Sequence, residues 1–193
     1  MARPRSEDKR NAILAAAARV VSSEGVSAAT ARISKDAGVA EGTLFTYFEN
    51  KDVLFNELYL YLKAGVRESM MKGFTTKGSA EHRVRQAWNG YLDWGVAYPD
   101  GHRALRQLGF CDRIDAQHRA AGAEGFSALS QLLLEKLSGS SVPAMDALAF
   151  IGSVFNTMAD NALDFIARDG AKADYYREAG FRAFWGAVKG GGR

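Results

Sequence analysis

Apolar residues recur at helical spacing in the first 50 positions of the chain, and glycines interrupt the pattern. A first helix is predicted after Ser6, which can cap it, and before Gly25, which can end it. A short second helix is predicted from Thr30 to Gly38, and a third from about Glu41 to Phe48. The buried stripe of the first helix is predicted to be Ile13, Leu14, Ala17, Val20 and Val21. Two short helices joined by a tight turn with glycine indicate a helix-turn-helix.

The helical pattern continues along the rest of the chain. Asn50 can cap a fourth helix, which is predicted to end near Gly73. Further helices are predicted at roughly 79–98, 101–111, 115–137, 143–169 and 173–189, with breaks at Tyr98–Gly101 and at 138–141. No strand-like alternation or internal repeat stands out. The prediction is an all-α protein with a small N-terminal helix-turn-helix domain over residues 1–51 and a larger helical domain over residues 52–193.

The third predicted helix carries more large side chains than it can bury. Leu44 and Phe48 are four residues apart and therefore share the face that packs on Ile33. The other sides of the helix carry Gly42, Thr43, Phe45, Thr46 and Tyr47. Hydroxyl and methyl groups on an outward face suit phosphates and base edges, and Gly42 allows another backbone to approach. These properties together predict a helix that reads DNA.

Composition indicates a soluble protein of the cytoplasm. The chain has 193 residues, of which 47% are hydrophobic and 24% are charged, as in ordinary globular proteins. The single Cys111 excludes an internal disulfide and fits a reducing compartment. The start of the chain has no apolar secretory signal, and the longest strongly apolar stretch is 13 residues, which is too short to cross a membrane.

The net charge is only +3, so its distribution matters more than its sum. Arg3, Arg5, Lys9 and Arg10 form a basic arm at the start of the chain. Composition leaves two interpretations of this arm equally open, a solvated tail and a segment that binds phosphates.

Catalytic and metal-binding motifs are not found. His82, His102 and His118 lack the spacing of a helical metal pair, and Cys111 has no identifiable base partner. Asp160 and Asp164 are four residues apart, but a solvated or interface role is favoured over an acid–base site. No phosphate-binding loop, dinucleotide fingerprint or nucleophile elbow is present. The sequence therefore predicts a protein that is not an enzyme and needs no metal or cofactor.

Residues from about 6 to 55 resemble the DNA-binding domain of the tetracycline-repressor (TetR) family of bacterial regulators. The features that carry the resemblance are Ile13 and Leu14, then Gly25, Thr30, Ile33, the turn Ala37-Gly38-Val39, the run Gly42-Thr43-Leu44-Phe45-Thr46-Tyr47-Phe48, and finally Lys51 and Leu54. The resemblance implies phosphate contacts by Thr30, Phe45, Tyr47 and Lys51. It places Glu41, Gly42 and Thr43 near base edges, and the predicted DNA-binding set also includes Arg32, Ala40 and Thr46.

The chain departs from the family pattern at two positions. Ala40 stands where the family often has a small hydroxyl residue, so the side-chain cap of the third helix is lost. Phe45 stands where the family usually has tyrosine, so this ring is predicted to pack against the sugar-phosphate backbone without a phosphate hydrogen bond. Two interpretations remain for Glu41: acceptance of a hydrogen bond from a cytosine amino group, or simple stabilisation of the helix N-terminus, which is favoured.

The resemblance also implies that the larger domain binds a ligand and forms a homodimer. The predicted interface lies on the last two helices and comprises Ala149, Gly152, Asn156, Ala159, Leu163, Tyr176, Phe184 and Val188. The predicted pocket comprises Trp88, Tyr91, Leu92, Phe110, Phe126, Phe155 and Met158, with Asn89, Gln107, Asn156 and Asp160 as polar groups. For both sets the alternative is ordinary intramolecular core.

The sequence thus predicts a one-component transcriptional regulator that binds double-stranded operator DNA as a homodimer. We expect a repressor, released from its operator by a small apolar or amphipathic molecule. The alternative is a helical ligand-binding or scaffold protein in which the DNA-binding head (the helix-turn-helix domain of residues 1–51) is vestigial. The departures from the family pattern at Ala40 and Phe45 are compatible with this alternative.

Overall fold

The computed structural model describes residues 6–75, 77–137 and 143–190. The helices are α1 (Glu7–Glu24), α2 (Thr30–Asp36), α3 (Glu41–Tyr47), α4 (Lys51–Met71), α5 (Ala80–Ala97), α6 (Pro99–Gly109), α7 (Ala116–Glu124), α8 (Ser127–Leu137), α9 (Ala144–Arg168) and α10 (Ala173–Gly190), with a 3-10 turn at Gly170–Lys172. The described ranges contain no strand, so the all-α prediction is confirmed. Two basic residues of the N-terminal arm, Arg3 and Arg5, and the predicted break at 138–141 lie outside the described residues.

One predicted helix is divided in the structure. The pattern predicts a continuous helix over 115–137, but α7 ends at Glu124 and α8 begins at Ser127. Gly125 lies at this point and Gly122 lies in the last turn of α7, and each glycine disfavours a helix by about 1 kcal/mol relative to alanine. Apolar spacing is preserved across the break, so periodicity alone misses it.

The described residues group into two compact units by their contacts. The first contains the chain up to Gly65 together with Tyr98–Gly125, and the second contains Val66–Ala97 together with the chain from Phe126 onward. The functional division at residue 51 stays a prediction.

The first unit is built around α1, which packs on α2 and on α6. Its fully buried side chains include Ile13, Leu14, Val21, Ile33, Leu44, Leu54, Phe55 and Leu58. Gly25 and Gly38 have φ values of +82° and +66°, in the left-handed region that L side chains rarely adopt. Glycine at these two positions therefore allows the tight turns after α1 and after α2.

Polar side chains join the end of α1 to the start of α6 within this unit. The Asp100 carboxylate accepts hydrogen bonds from Ser22 Oγ (3.0 Å) and from the Arg103 guanidinium (2.7 Å). Arg103 Nε also donates to Ser22 Oγ at 2.9 Å. The hydrogen bond from Arg103, with a further one from Ser22, holds the pKa of the Asp100 carboxyl below its ordinary value.

An Asp100→Asn variant should therefore lose stability at neutral pH but not in acid. Because the folded-state pKa of Asp100 is depressed, the carboxylate stabilises the fold above its unfolded pKa, and that stabilisation disappears as the pH falls through the folded pKa. Urea unfolding at pH 7 and at pH 3 measures the difference. A deficit that is equally large at both pH values would contradict a role for the ionised carboxylate.

The second unit consists of the last part of α4 with α5, α8, α9 and α10. Within it, α10 and α5 pack on α9, and α8 packs on both α9 and α10. No helix in the described part of the chain is long and apolar enough to cross a membrane.

Candidate nucleic-acid interface

The orientation of α3 defines the candidate interface. Leu44 and Phe48 are buried in the core of the first unit, as their spacing predicts. The outward sides are accessible: Glu41, Gly42 and Thr46 are exposed, Phe45 is 42% exposed, and Thr43 and Tyr47 are half-buried. A short helix therefore presents hydroxyl, methyl and aromatic groups to a partner, while two large side chains hold it to the head.

Contacts from α1 hold the C-terminal end of α3 in place. The Arg10 guanidinium lies over the Phe48 ring at 5.7 Å and forms a 2.5 Å ion pair with Glu57 of α4. The backbone N–H of Ser6 donates to the Tyr47 hydroxyl at 3.0 Å. Since the hydroxyl accepts this bond, it keeps its own proton for an external acceptor such as a phosphate oxygen.

The first turn of α3 has the open surroundings that the sequence predicts. Ala40 is exposed and provides no side-chain cap, whereas Asn50 caps α4 by accepting from the Val53 N–H at 2.9 Å. A Cβ added to Gly42 would meet no protein atom within 4 Å. Close packing against the described protein therefore does not require glycine at position 42, and the space beside it is open.

Lys51 lies at the start of α4 and is half-buried. Its ammonium lies 5.2 Å from the centre of the Phe55 ring. Burial lowers the pKa of Lys51 below its ordinary value, and the positive charge of Arg113 lowers it further. Arg113 in turn forms a 2.5 Å ion pair with Asp52. Two basic side chains thus lie close together at the N-terminal end of α4.

Arg113 is a further candidate residue of the nucleic-acid interface, and the sequence pattern does not indicate it. It lies between α6 and α7, 61 positions from its partner Asp52 in the chain. The buried amide of Asn56 holds this loop, since it donates to the Arg113 carbonyl at 3.0 Å and accepts from the Asp115 N–H at 3.1 Å. No local motif indicates such a position, because it depends on a contact between distant segments.

The other basic member of the predicted set is already paired. Arg32 is exposed on α2 and forms a 2.9 Å ion pair with Glu24 of α1. Both side chains are accessible to solvent, so the pair is weak and can exchange for a phosphate contact. Thr30, at the start of α2, donates its hydroxyl to Glu41 at 2.7 Å.

The residues predicted to line a ligand pocket are only partly brought together. Trp88, Tyr91 and Phe155 form an aromatic cluster in the second unit, with ring centres 5.4 Å apart for Trp88–Phe155 and 5.6 Å apart for Tyr91–Phe155. The Tyr91 hydroxyl donates to Asp160 at 3.1 Å. Leu92 is fully buried in the same unit, whereas Phe126 and Met158 are half-buried.

Two residues of the predicted pocket set belong to the first unit instead. Phe110 follows the end of α6, and its side chain is 92% exposed. Gln107 lies on α6 and donates to the Ser22 carbonyl at 3.4 Å. The helical pattern could not separate these two from the cluster around Trp88, because the chain passes between units at residue 98.

The residues predicted to form the dimer interface divide into a buried group and an accessible group. Ala159, Leu163, Phe184 and Val188 are buried within this chain, which is the alternative that the sequence leaves open. Leu163, for example, packs so closely on α5 that a Cβ at Gly95 would lie 2.4 Å from it. Ala149 and Asn156 are exposed, and Gly152 and Tyr176 are half-buried. The outer face of α9 also carries Met145 (71% exposed) and Phe150 (69% exposed).

Known proteins match this chain in two ways, by the sequence of its N-terminal residues and by its fold. Residues 13–58 match the family model described as bacterial regulatory proteins of the tetR family. A tetR family transcription regulator from a Shewanella species is 24% identical, covers 95% of this chain and 98% of its own, and superposes with a TM-score of 0.79. One from Marinobacter aquaeolei is 21% identical, covers 94% of this chain and 95% of its own, and has a TM-score of 0.77.

A third similar structure carries a bound small molecule. It is the TetR-like transcriptional regulator LfrR from Mycobacterium smegmatis in complex with proflavine, which is 21% identical, covers 96% of this chain and 97% of its own, and has a TM-score of 0.67. The predicted resemblance is thereby confirmed. Residues 13–58 are thus similar to the N-terminal domain of the tetR family, and the chain has the fold of TetR-family transcription regulators.

Proposed function

We propose that this chain is a homodimeric transcriptional repressor that leaves its operator when a small apolar or amphipathic molecule binds the larger domain. The orientation of α3 is the observation that carries the proposal. Leu44 and Phe48 are buried, while Glu41, Gly42 and Thr46 face outward from the head. This arrangement supports insertion of α3 into the major groove, which is wide enough to admit a helix.

A single head reads only a few base pairs, so specific binding favours two copies. Paired reading helices on B-DNA lie about 34–36 Å apart, which is one turn of the duplex. The exposed apolar side chains Met145 and Phe150 on α9 and Tyr175 on α10 support pairing through these helices. Large exposed apolar groups are common at subunit interfaces. Ala149 and Asn156 on the same outer face of α9 complete the proposed contact.

The aromatic cluster in the second unit supports a ligand-binding role. Trp88, Tyr91 and Phe155 offer ring faces, and Asp160 offers a carboxylate bonded to the Tyr91 hydroxyl. LfrR is described in complex with proflavine, which is an aromatic ligand. A ligand that lowers operator affinity does so through a coupling free energy between the two sites, which is typically about 1–3 kcal/mol.

The proposal is tested first with the DNA upstream of the chain's own coding region. Fluorescence anisotropy measures binding to a labelled duplex, and sedimentation of the complex measures the number of chains per duplex. We expect sequence-selective binding by two chains or a multiple of two. Absence of binding at low salt would favour the alternative, a ligand-binding or scaffold protein with a vestigial head.

A Lys51→Ala variant tests the phosphate contact separately. We expect weaker binding to all sequences and a slope of log K against log salt concentration that is smaller by about one, because one fewer counterion is released. Lys72→Ala is the matched control, since Lys72 is exposed at the end of α4 in the second unit. An unchanged slope in Lys51→Ala would remove Lys51 from the contact set.

A further inference from the structure

We infer that Thr30 is a positioning residue for Glu41, and that Glu41 reads a cytosine of the operator through its amino group. The inference rests on the proposed DNA-binding function and deepens it. It changes the role that the family resemblance implies for Thr30, from a phosphate contact to the orientation of a neighbouring carboxylate.

The two side chains meet on the surface of the head. Thr30 is the first residue of α2, and Glu41 is the first residue of α3. Thr30 Oγ1 donates to Glu41 Oε1 at 2.7 Å, a distance typical of a strong bond to a charged acceptor. Thr30 is half-buried, whereas Glu41 is exposed at the end of α3 that is proposed to enter the groove. The hydrogen bond limits the directions that the Glu41 side chain can take.

The number of protons on the hydroxyl decides between the two roles of Thr30. A threonine hydroxyl has one proton to donate, and a phosphate diester offers only acceptors. While Thr30 donates to Glu41, it has no proton for a phosphate oxygen. The Glu41 carboxylate would also repel a phosphate placed beside it. In the observed arrangement, Thr30 therefore does not donate to a phosphate.

The hydrogen bond with Thr30 leaves the second oxygen of the Glu41 carboxylate available. Within the described residues, Glu41 forms a hydrogen bond to a neutral hydroxyl and no ion pair. A carboxylate has about four lone-pair positions, so Oε2 and part of Oε1 remain available to a donor outside the protein. A carboxylate here stabilises the N-terminus of α3, and when it enters the groove a hydrogen-bond donor on the DNA can accommodate it.

Base chemistry restricts which donor that is. In the major groove only the cytosine N4 and adenine N6 amino groups donate hydrogen bonds. Adenine places the acceptor N7 beside its amino group, which repels a second carboxylate oxygen, whereas cytosine has no acceptor beside N4 on that edge. Glutamate therefore pairs with cytosine, and glutamine pairs with adenine.

Selection from a randomised duplex library tests the inference. For the native chain we expect one position in each half-site at which cytosine is preferred by about tenfold. Glu41→Ala should reduce this preference to less than about twofold, and Glu41→Gln should transfer it to adenine. The other positions of the half-site should keep their preferences in both variants.

Variants at Thr30 test its positioning role. Thr30→Val removes the hydroxyl at nearly constant shape, so the preference at the Glu41 position should weaken while the salt slope of binding stays unchanged. Thr30→Ser keeps a hydroxyl and should restore the preference. Thr30→Val should have no further effect on the base preference in a Glu41→Ala background. Thermal unfolding of each variant shows whether the head still folds.

Different outcomes separate this inference from the proposed function. If the native chain selects a sequence but Glu41→Ala has the same base preferences, the inference fails and the regulator function stands. The inference also fails if Thr30→Val weakens binding to all sequences equally and reduces the salt slope. If the native chain selects no sequence, the proposed function fails and the inference fails with it.

Discussion

Replacement of Phe48 by alanine should abolish DNA binding, because it removes the main anchor of α3 from the core of the head. The Phe48 side chain is almost fully buried, with the Arg10 guanidinium above its ring and Leu44 one turn before it. Truncation of a buried phenylalanine costs about 3–5 kcal/mol, and whole domains are stable by only about 5–15 kcal/mol. The expected result in urea unfolding is a large decrease in the free energy of unfolding.

Phe45→Ala is the matched control for this prediction. Phe45 lies three positions earlier, in the last turn of α3, but it is 42% exposed and faces outward. We expect its loss to change stability by no more than about 0.5 kcal/mol, as at an ordinary surface position. It should still weaken binding to a duplex, since the ring is predicted to pack on the sugar-phosphate backbone. Equal stability losses in the two variants would contradict the observed orientation of α3.

Replacement of Gly90 by alanine should strongly destabilise the second unit. The backbone of α5 lies so close to the last part of α4 that a Cβ at Gly90 would be 2.4 Å from the Ser69 carbonyl oxygen and 2.7 Å from the Met70 Cα. Both obstacles are backbone atoms, so a rotamer change cannot relieve them. Ser69 Oγ also donates to the Gly90 carbonyl at 2.7 Å, and this bond would be disturbed as the helices separate.

The expected loss in the free energy of unfolding is about 1–3 kcal/mol, which is typical of overpacking and outweighs the helix preference of alanine. Gly109→Ala is the matched control, because Gly109 also lies in a helix and a Cβ there would meet nothing within 4 Å. That variant should be neutral or slightly more stable. Urea unfolding of both proteins measures the difference, and a neutral Gly90→Ala would mean that α4 and α5 can separate without cost.

The hydrogen bond between Thr30 and Glu41 joins two positions to which the resemblance assigns separate roles. The resemblance implies a phosphate contact for one residue and a place near base edges for the other. The 2.7 Å bond between them makes the two roles interdependent. Sequence spacing could not show this, because the residues begin two different helices that are joined by a turn.

The sequence by itself determined the helical class, the helix-turn-helix and the inward position of Leu44 and Phe48. These properties follow from local rules, since a spacing of four positions on a helix sets the face on which a side chain lies. Left-handed glycines at the turns after α1 and α2 are likewise local features, because only the conformation of one residue is involved.

Only the tertiary structure decided which apolar faces are covered and which distant side chains meet. Periodicity shows that Ala159 and Phe184 lie on apolar stripes, but burial against the same subunit depends on how α5, α9 and α10 pack. The exposed position of Phe110 and the approach of Arg113 to Asp52 depend on segments far apart in the chain. A helical pattern gives the direction of each side chain from its own axis, whereas the neighbour it meets is set by the packing of all the helices together.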